Sequence, residues 1–236
     1  GDNAGLLAAK HPKAIFIGDF LFGEQNPELY QAELDQLCSS GALWFGDRYF
    51  CDPLIQRSAN FIDVGLYGAV SSASYTPPRQ KVWIGLGTAS QNTADDFRQA
   101  IELVCEIAPT KEVVIGDEMI PYMTKEATEL QSKGRVSKFD NTKACKAELQ
   151  AAVIRPGMGS ITECLQNKTP IISNWLNTPE ICRNSEVLKN IFFQTSVKNE
   201  FSLDGFTLEE QRQVLVNHSR ADLFQNAEIR VVNYIR

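Results

Sequence analysis

Polar and apolar positions along this chain follow two rhythms. Short stretches of strand character, 81–87 (KVWIGLG), 112–116 (EVVIG), 135–139 (RVSKF), 151–155 (AAVIR) and 169–173 (TPIIS), are separated by segments in which apolar residues recur every three or four positions. Segment 93–108 shows the second rhythm best, with Phe97, Ile101, Val104, Cys105 and Ala108 on one helical face. Polar helices are predicted over 124–134, closed by Gly134, and over 142–150, with another over 160–168 after a glycine-containing turn. Strands alternating with helices predict an α/β fold, a Rossmann-like parallel sheet with right-handed crossovers and helices on both faces. Two last helices are predicted over 207–218 and 220–236, the former opened by Thr207 and Glu210 at capping-box spacing.

The first 70 residues follow the same grammar but fall short of a full unit. Helices over 4–11 and 27–40 and strands over 13–20, 41–47 and 60–68 are predicted, whereas domains commonly run to about 100 residues or more. This segment is therefore expected to be the second half of a domain whose first half is missing. The first residue is not methionine, so the chain is expected to be processed, truncated or incompletely represented. Between the two regions, 71–80 (SSASYTPPRQ) has no apolar period, and Pro77-Pro78 opposes helix and sheet alike. The expected division is a partial unit over 1–76 and a complete one over 77–236.

Composition narrows the function classes. A chain of 236 residues at 43% hydrophobic has enough apolar material for a sizeable core. No run reaches the roughly 18 apolar residues of a spanning helix, and the start lacks signal-peptide character, so a soluble, cytoplasmic protein is expected. A net charge of -6 and a pI near 5.1 argue against general nucleic-acid binding. They leave open a small anionic ligand held by backbone amides. The six cysteines show no CxxC pairing and are expected as reduced, mostly buried thiols. Two isolated histidines, His11 and His218, make no zinc ligand set, and no metal or cofactor is expected.

In doubly wound sheets, ligands sit beyond the carboxyl ends of strands, where helix N-termini present unpaired amides. Two turns occupy such places. The first, 85–92 (GLGTASQN), offers Gly85 and Gly87 for tight geometry and the hydroxyls of Thr88 and Ser90. Strand-to-helix turns also favour Gly, Ser and Thr without any ligand, and the spacing matches neither GxGxxG nor a P-loop. The second lies within 151–173 (AAVIRPGMGSITECLQNKTPIIS), where Gly157 and Gly159 allow close approach and a helix dipole begins at Ile161. Ser160 and Glu163 also form a capping-box pattern worth about 1 kcal/mol with no ligand present. Arg155, at the mouth of a buried strand, needs an anionic partner. That partner is either a ligand or Glu163.

The run Arg155-Pro156-Gly157-Met158-Gly159-Ser160-Ile161-Thr162-Glu163, with Pro170 after six intervening residues, resembles the nucleotide-sugar-binding motif of two-domain GT-B glycosyltransferases. The pattern R-x-G-x-G-S/T-x-x-E is similar to the branch containing the UDP-N-acetylglucosamine transferase of peptidoglycan synthesis. The segments IGLGTAS, RVSKFDN and WLNTPEICRN stand in matching order, so the resemblance covers roughly residues 80–195. It implies that Glu163 accepts hydrogen bonds from ribose hydroxyls and that amides from Gly157 through Met158 and Gly159 to Ser160 face a diphosphate. It places the base near Phe139, and Gly87 and Thr88 near the phosphate or sugar. Glu180 and Asn184 match the acidic residue and asparagine of a D-Q-x-x-N segment, while Ile181 replaces its glutamine. The amino-terminal part resembles the second half of an acceptor domain, which implies a general base near Asp19.

The function so implied is metal-independent transfer of a sugar from a nucleotide-sugar donor, most simply a UDP-sugar, to an unspecified acceptor. Contact with a membrane surface or a partner subunit is compatible with that role. A nucleotide-sugar hydrolase or 2-epimerase of the same fold, and a non-catalytic nucleotide-sugar-binding subunit, are the alternatives.

Overall fold

A computed structural model describes residues 10–11, 13–18, 27–51, 53–68, 80–87, 94–140, 143–173, 179–192, 195–196, 210, 212–215 and 223–235. The chain divides into two compact units, one of residues 1–69 with 220–236 and one of residues 70–219.

In the first unit, three parallel strands, β1 (Ile15–Ile17), β2 (Leu43–Gly46) and β3 (Phe61–Asp63), pair in the order β1-β2-β3. Residues alternate between faces along each strand, so Trp44 and Phe45 enter different clusters. Trp44 packs with Leu34 and Leu37 of α1 (Pro27–Ser39) and Ile55 of α2 (Pro53–Gln56). Phe45 packs with Val64 and with Ala227 and Val231 of the C-terminal helix Ala227–Ile235. Leu66 N–H donates to the Leu223 carbonyl at 2.7 Å, and Gly68 N–H to Glu228 Oε1 at 2.8 Å. Residues 220–236 therefore group with the first unit, where order along the chain alone predicts a continuous 77–236 domain. The reason is that Ala227 and Val231, one turn apart on one helical face, cover the side of the sheet opposite α1.

The second unit holds a six-stranded parallel sheet of β4 (Lys81–Gly85), β5 (Glu112–Ile115), β6 (Val136–Lys138), β7 (Leu149–Ile154), β8 (Ile171–Ser173) and β9 (Thr195–Ser196). Its order is β6-β5-β4-β7-β8-β9. The first strand lies in the middle and the winding reverses between β4 and β7, which is the doubly wound 3-2-1-4-5-6 arrangement. In β7, Ala151, Ala152, Val153 and Ile154 are all buried, as a central strand covered on both faces must be. On one face, α3 (Ala94–Ile107) buries Phe97, Ile101 and Val104 against Val82, Ile84, Val113 and Val153. Ala108 follows them into this core, and Cys105 packs at its margin.

The unit also holds α4 (Lys125–Ser132), α5 (Lys143–Ala147), α6 (Met158–Gln166) and α7 (Pro179–Phe192), and residues 212–215 are helical as well. The short α5 ends before β7 begins at Leu149, two residues earlier than the apolar run suggests. A 3-10 helix over Asp117–Tyr122, with Pro121 inside it, joins β5 to α4. Residues 4–9 of the predicted first helix, and Thr207 of the predicted capping box, lie outside the described residues. The six cysteines are thiols: Cys51, Cys145 and Cys164 are buried, Cys105 and Cys182 half-buried, and Cys38 exposed. Among the described residues no helix is long and apolar enough to cross a membrane, and no cluster of His, Cys, Asp and Glu is placed to hold a metal ion.

Candidate functional site

The reversal between β4 and β7 brings both glycine turns together. Gly85 pairs with Ile154 at the strand ends, and Arg155 N–H donates to the Gly85 carbonyl at 3.1 Å. The two turns thus leave the sheet side by side, at the place where doubly wound folds bind ligands. Their glycines differ in purpose. A Cβ on Gly85 would stand 2.5 Å from the Trp83 ring, so that glycine makes room for the indole. Gly87 has φ +72°, the left-handed region that favours glycine, and a Cβ added there would meet no atom of the described residues beyond its chain neighbours within 4 Å. Thr88 and Ser90 lie outside the described residues.

Helix α6 starts earlier than predicted, and its N-cap residue supplies no side-chain cap. Gly157 takes the N-cap position in extended conformation, where it has no side chain to cap the first turn, and Ile161 N–H donates to the Gly157 carbonyl at 3.0 Å. Ser160 therefore sits inside the first turn, and the predicted Ser160–Glu163 capping box does not form. Met158, Gly159 and Ser160 present amides that have no carbonyl one turn back within the helix. Gly157 and Gly159 each have open space where a Cβ would project. Gly159 and Glu163, four residues apart, share one face of α6, so the face above the Glu163 carboxylate is open. That carboxylate pairs with Lys146 at the end of α5.

Helix α7 braces the turn from behind. Asn184 is fully buried and its Nδ2 donates to the Pro156 carbonyl at 2.8 Å. Next to it, Ser185 shares a 3.0 Å hydroxyl hydrogen bond with Ser173 at the end of β8. Ile181 is 2% exposed, a core residue where the resemblance has a polar amide. Burial pushes the half-buried Glu180 carboxyl up, and the nearby Arg155 guanidinium partly opposes this. The charge of Arg155 thus acts on Glu180, while Glu163 is engaged by Lys146. Arg155 Nε is buried and finds no hydrogen-bond acceptor among the described residues.

Beyond β6, Phe139 N–H donates to the Ile115 carbonyl at 2.7 Å. Its ring stacks on Trp83, with centroids 4.8 Å apart and planes 13° from parallel. Asp19 lies outside the described residues. In the first unit, the carboxylates after β2 and at the end of β3 serve turns: Asp47 Oδ1 accepts from the amides of Tyr49 and Phe50, and Asp63 Oδ1 from that of Gly65. Sequence reasoning missed Lys146 and Trp83. Trp83 carried a local signal, as a bulky ring two residues before a glycine. Lys146 carried none, because its partner belongs to another crossover.

No family model matches the chain, and no curated protein does. Solved structures match it at low identity. Os79 from O. sativa in complex with UDP aligns with a TM-score of 0.61 at 11% identity, covering 90% of this chain and 59% of that one. The calicheamicin glycosyltransferase CalG4 aligns with a TM-score of 0.59 at 12% identity, covering 98% and 70%. The glycosyltransferase SnogD from Streptomyces nogalater aligns with a TM-score of 0.58 at 11% identity, covering 98% and 69%. The chain spans about three fifths of Os79. At these identities the shared property is the fold, and the chain has the Rossmann-like parallel α/β architecture of GT-B glycosyltransferase structures.

Proposed function

We propose that the second unit binds a nucleoside-diphosphate sugar, most simply a UDP-sugar, across the β4 and β7 turns, and that the whole protein transfers the sugar to an acceptor. One observation carries this reading: at the winding reversal of a 3-2-1-4-5-6 sheet, α6 begins with open glycines and no cap of its own. Amides and dipole at such a start favour a phosphate. The diphosphate would lie against Met158, Gly159 and Ser160 with the ribose further along the same helical face at Glu163. The base would lie towards Phe139, and the sugar near Gly87, Thr88 and Glu180. Asn184 serves this site by holding the Pro156 carbonyl. UDP bound to the structurally similar Os79 supports the choice of nucleotide. The Arg155-to-Glu163 motif supports a donor site like that of the peptidoglycan UDP-N-acetylglucosamine transferase branch.

In this mechanism the rate comes from stabilising the departing diphosphate. Negative charge grows on the leaving phosphate as the glycosidic bond breaks, and preoriented amides at the helix start lower the energy of that charge without reorganising. Arg155 adds a fixed positive charge beside them. The role is one a metal ion plays elsewhere, and we assign it here to the chain's own groups. The acceptor hydroxyl requires a general base within about 3 Å, for which Asp19 is the candidate.

Calorimetric titration of the intact chain with UDP tests the reading. Binding is expected in the wild type, with a loss of about tenfold or more in Glu163→Ala, the order for a hydrogen bond to a charged group. A folded wild type that takes up no UDP would overturn it. Product analysis of a UDP-sugar incubated with and without candidate acceptors then separates transfer from hydrolysis or epimerisation.

A further inference from the structure

We propose that Lys146 is a positioning residue that sets ribose selectivity, by holding the Glu163 carboxylate in the orientation that accepts a sugar hydroxyl. The inference rests on the nucleotide reading above. Lys146 stands in the last turn of α5 and Glu163 in the second turn of α6, so two separate crossovers meet in this ion pair. Both side chains are largely enclosed, at 18% and 22% exposure, and the ammonium engages Glu163 Oε1. Oε2, the second carboxylate oxygen, has lone pairs of its own to accept from a further donor. One turn towards the N-terminus on the same helix face, a Cβ added at Gly159 would meet no atom of the described residues within 4 Å.

Two physical consequences follow from that placement. A carboxylate has two acceptor oxygens, and fixing one by a charged donor fixes the direction of the other. The ammonium also offsets a negative charge that would otherwise stand one helical turn from a bound diphosphate, where like charges repel. Without Lys146, Glu163 is free to rotate and its charge is uncompensated. Discrimination between a ribose and a deoxyribose should then fall more than the affinity for the phosphates.

The test is titration of the intact chain with UDP and with 2′-deoxy-UDP, in the wild type, Lys146→Gln and Lys146→Arg. The wild type should prefer UDP by about tenfold, the order of a hydrogen bond to a charged acceptor. Lys146→Gln should bring the two affinities within about threefold of each other, and Lys146→Arg should restore most of the preference. A lysine that merely stabilised the fold would lower both affinities together and keep their ratio. If Lys146→Gln does not fold, Lys146→Met, which keeps the aliphatic stem, takes its place. An unchanged ratio in the uncharged variant, or equal binding of the two nucleotides by the wild type, overturns the proposal while leaving UDP binding intact. Absence of UDP binding to the wild type overturns the nucleotide reading and this inference with it.

Discussion

Two helices of the second unit begin with nearly the same backbone and opposite chemistry. Thr124 before α4 has φ -82° and ψ 168°, and Gly157 before α6 has φ -76° and ψ 150°. At α4 the Thr124 hydroxyl accepts from Ala127 N–H at 3.3 Å and Glu126 adds a negative charge in the first turn. At α6 the N-cap glycine has no side chain to cap the start, and the first turn carries no acidic residue. The geometry of a helix start therefore does not force its amides to remain open. One sequence closes them with the oxygen of its own N-cap residue, and the other places a glycine there, which has no side chain to do so. Only the open start lies at the reversal between β4 and β7, whereas α4 follows the 3-10 helix after β5.

Making α6 resemble α4 should produce the largest effect. Gly157→Asp places a carboxylate at the N-cap in a backbone conformation that any residue adopts, with open space for its Cβ. The substitution should stabilise the chain by a few tenths of a kcal/mol, since glycine is already a tolerable N-cap. The same carboxylate should compete with a diphosphate for the amides and repel it. UDP affinity is expected to fall by at least about tenfold, or about 1.4 kcal/mol. Chemical denaturation and calorimetry on the same preparation measure both changes. A variant that gains stability and keeps its UDP affinity would remove α6 from the site.

The contrast also shows what sequence can reveal. The alternation of strands and helices was legible because the period of apolar residues is local, as at Phe97, Ile101 and Val104. The two glycine turns were legible as strand ends. Their adjacency was not, because the hydrogen bond from Arg155 to Gly85 depends on strand order. Ser160 resembled an N-cap because residue preference alone cannot tell which of four neighbouring residues the chain uses, and Gly157 took that position. Lys146 and Glu163 lie in different crossovers, so no spacing links them. The same limit hid the return of Ala227 and Val231 to the first sheet, across the whole length of the second unit. Asp19 and Thr88 lie outside the described residues, and their roles rest on the resemblance.

Opening α4 is the converse change and should have a smaller effect. Thr124→Ala removes the hydroxyl that accepts from Ala127 N–H. Loss of an N-cap costs about 1 kcal/mol, so the denaturation midpoint should fall. UDP affinity should stay within about twofold, because α4 follows β5, one strand away from the reversal between β4 and β7. A large loss of UDP binding in Thr124→Ala would mean that the capped start also serves the ligand, and the contrast between the two helices would fail.

The smallest effect concerns Glu126 and has a defined pH dependence. Its carboxyl is held below the ordinary value of 4.5, first by a hydrogen bond with its own backbone amide and then by the Thr124 hydroxyl, with lesser help from Arg98 and Lys125. A carboxylate whose pKa is depressed by folding stabilises the native state when ionised. That contribution is fully present above the unfolded value and is lost as pH falls through the folded one. Wild type should therefore be slightly more stable than Glu126→Gln at pH 7, and the gap should begin to close as pH drops below about 4.5. Glu126 is fully exposed, so salt should also shrink the gap at neutral pH. Denaturant titrations of both proteins at pH 7 and pH 3, at low and high salt, measure the difference. A gap that persists unchanged at pH 3 would mean that Glu126 acts through packing of its side chain. The charge at the start of α4 would then contribute nothing to the closure that distinguishes it from α6.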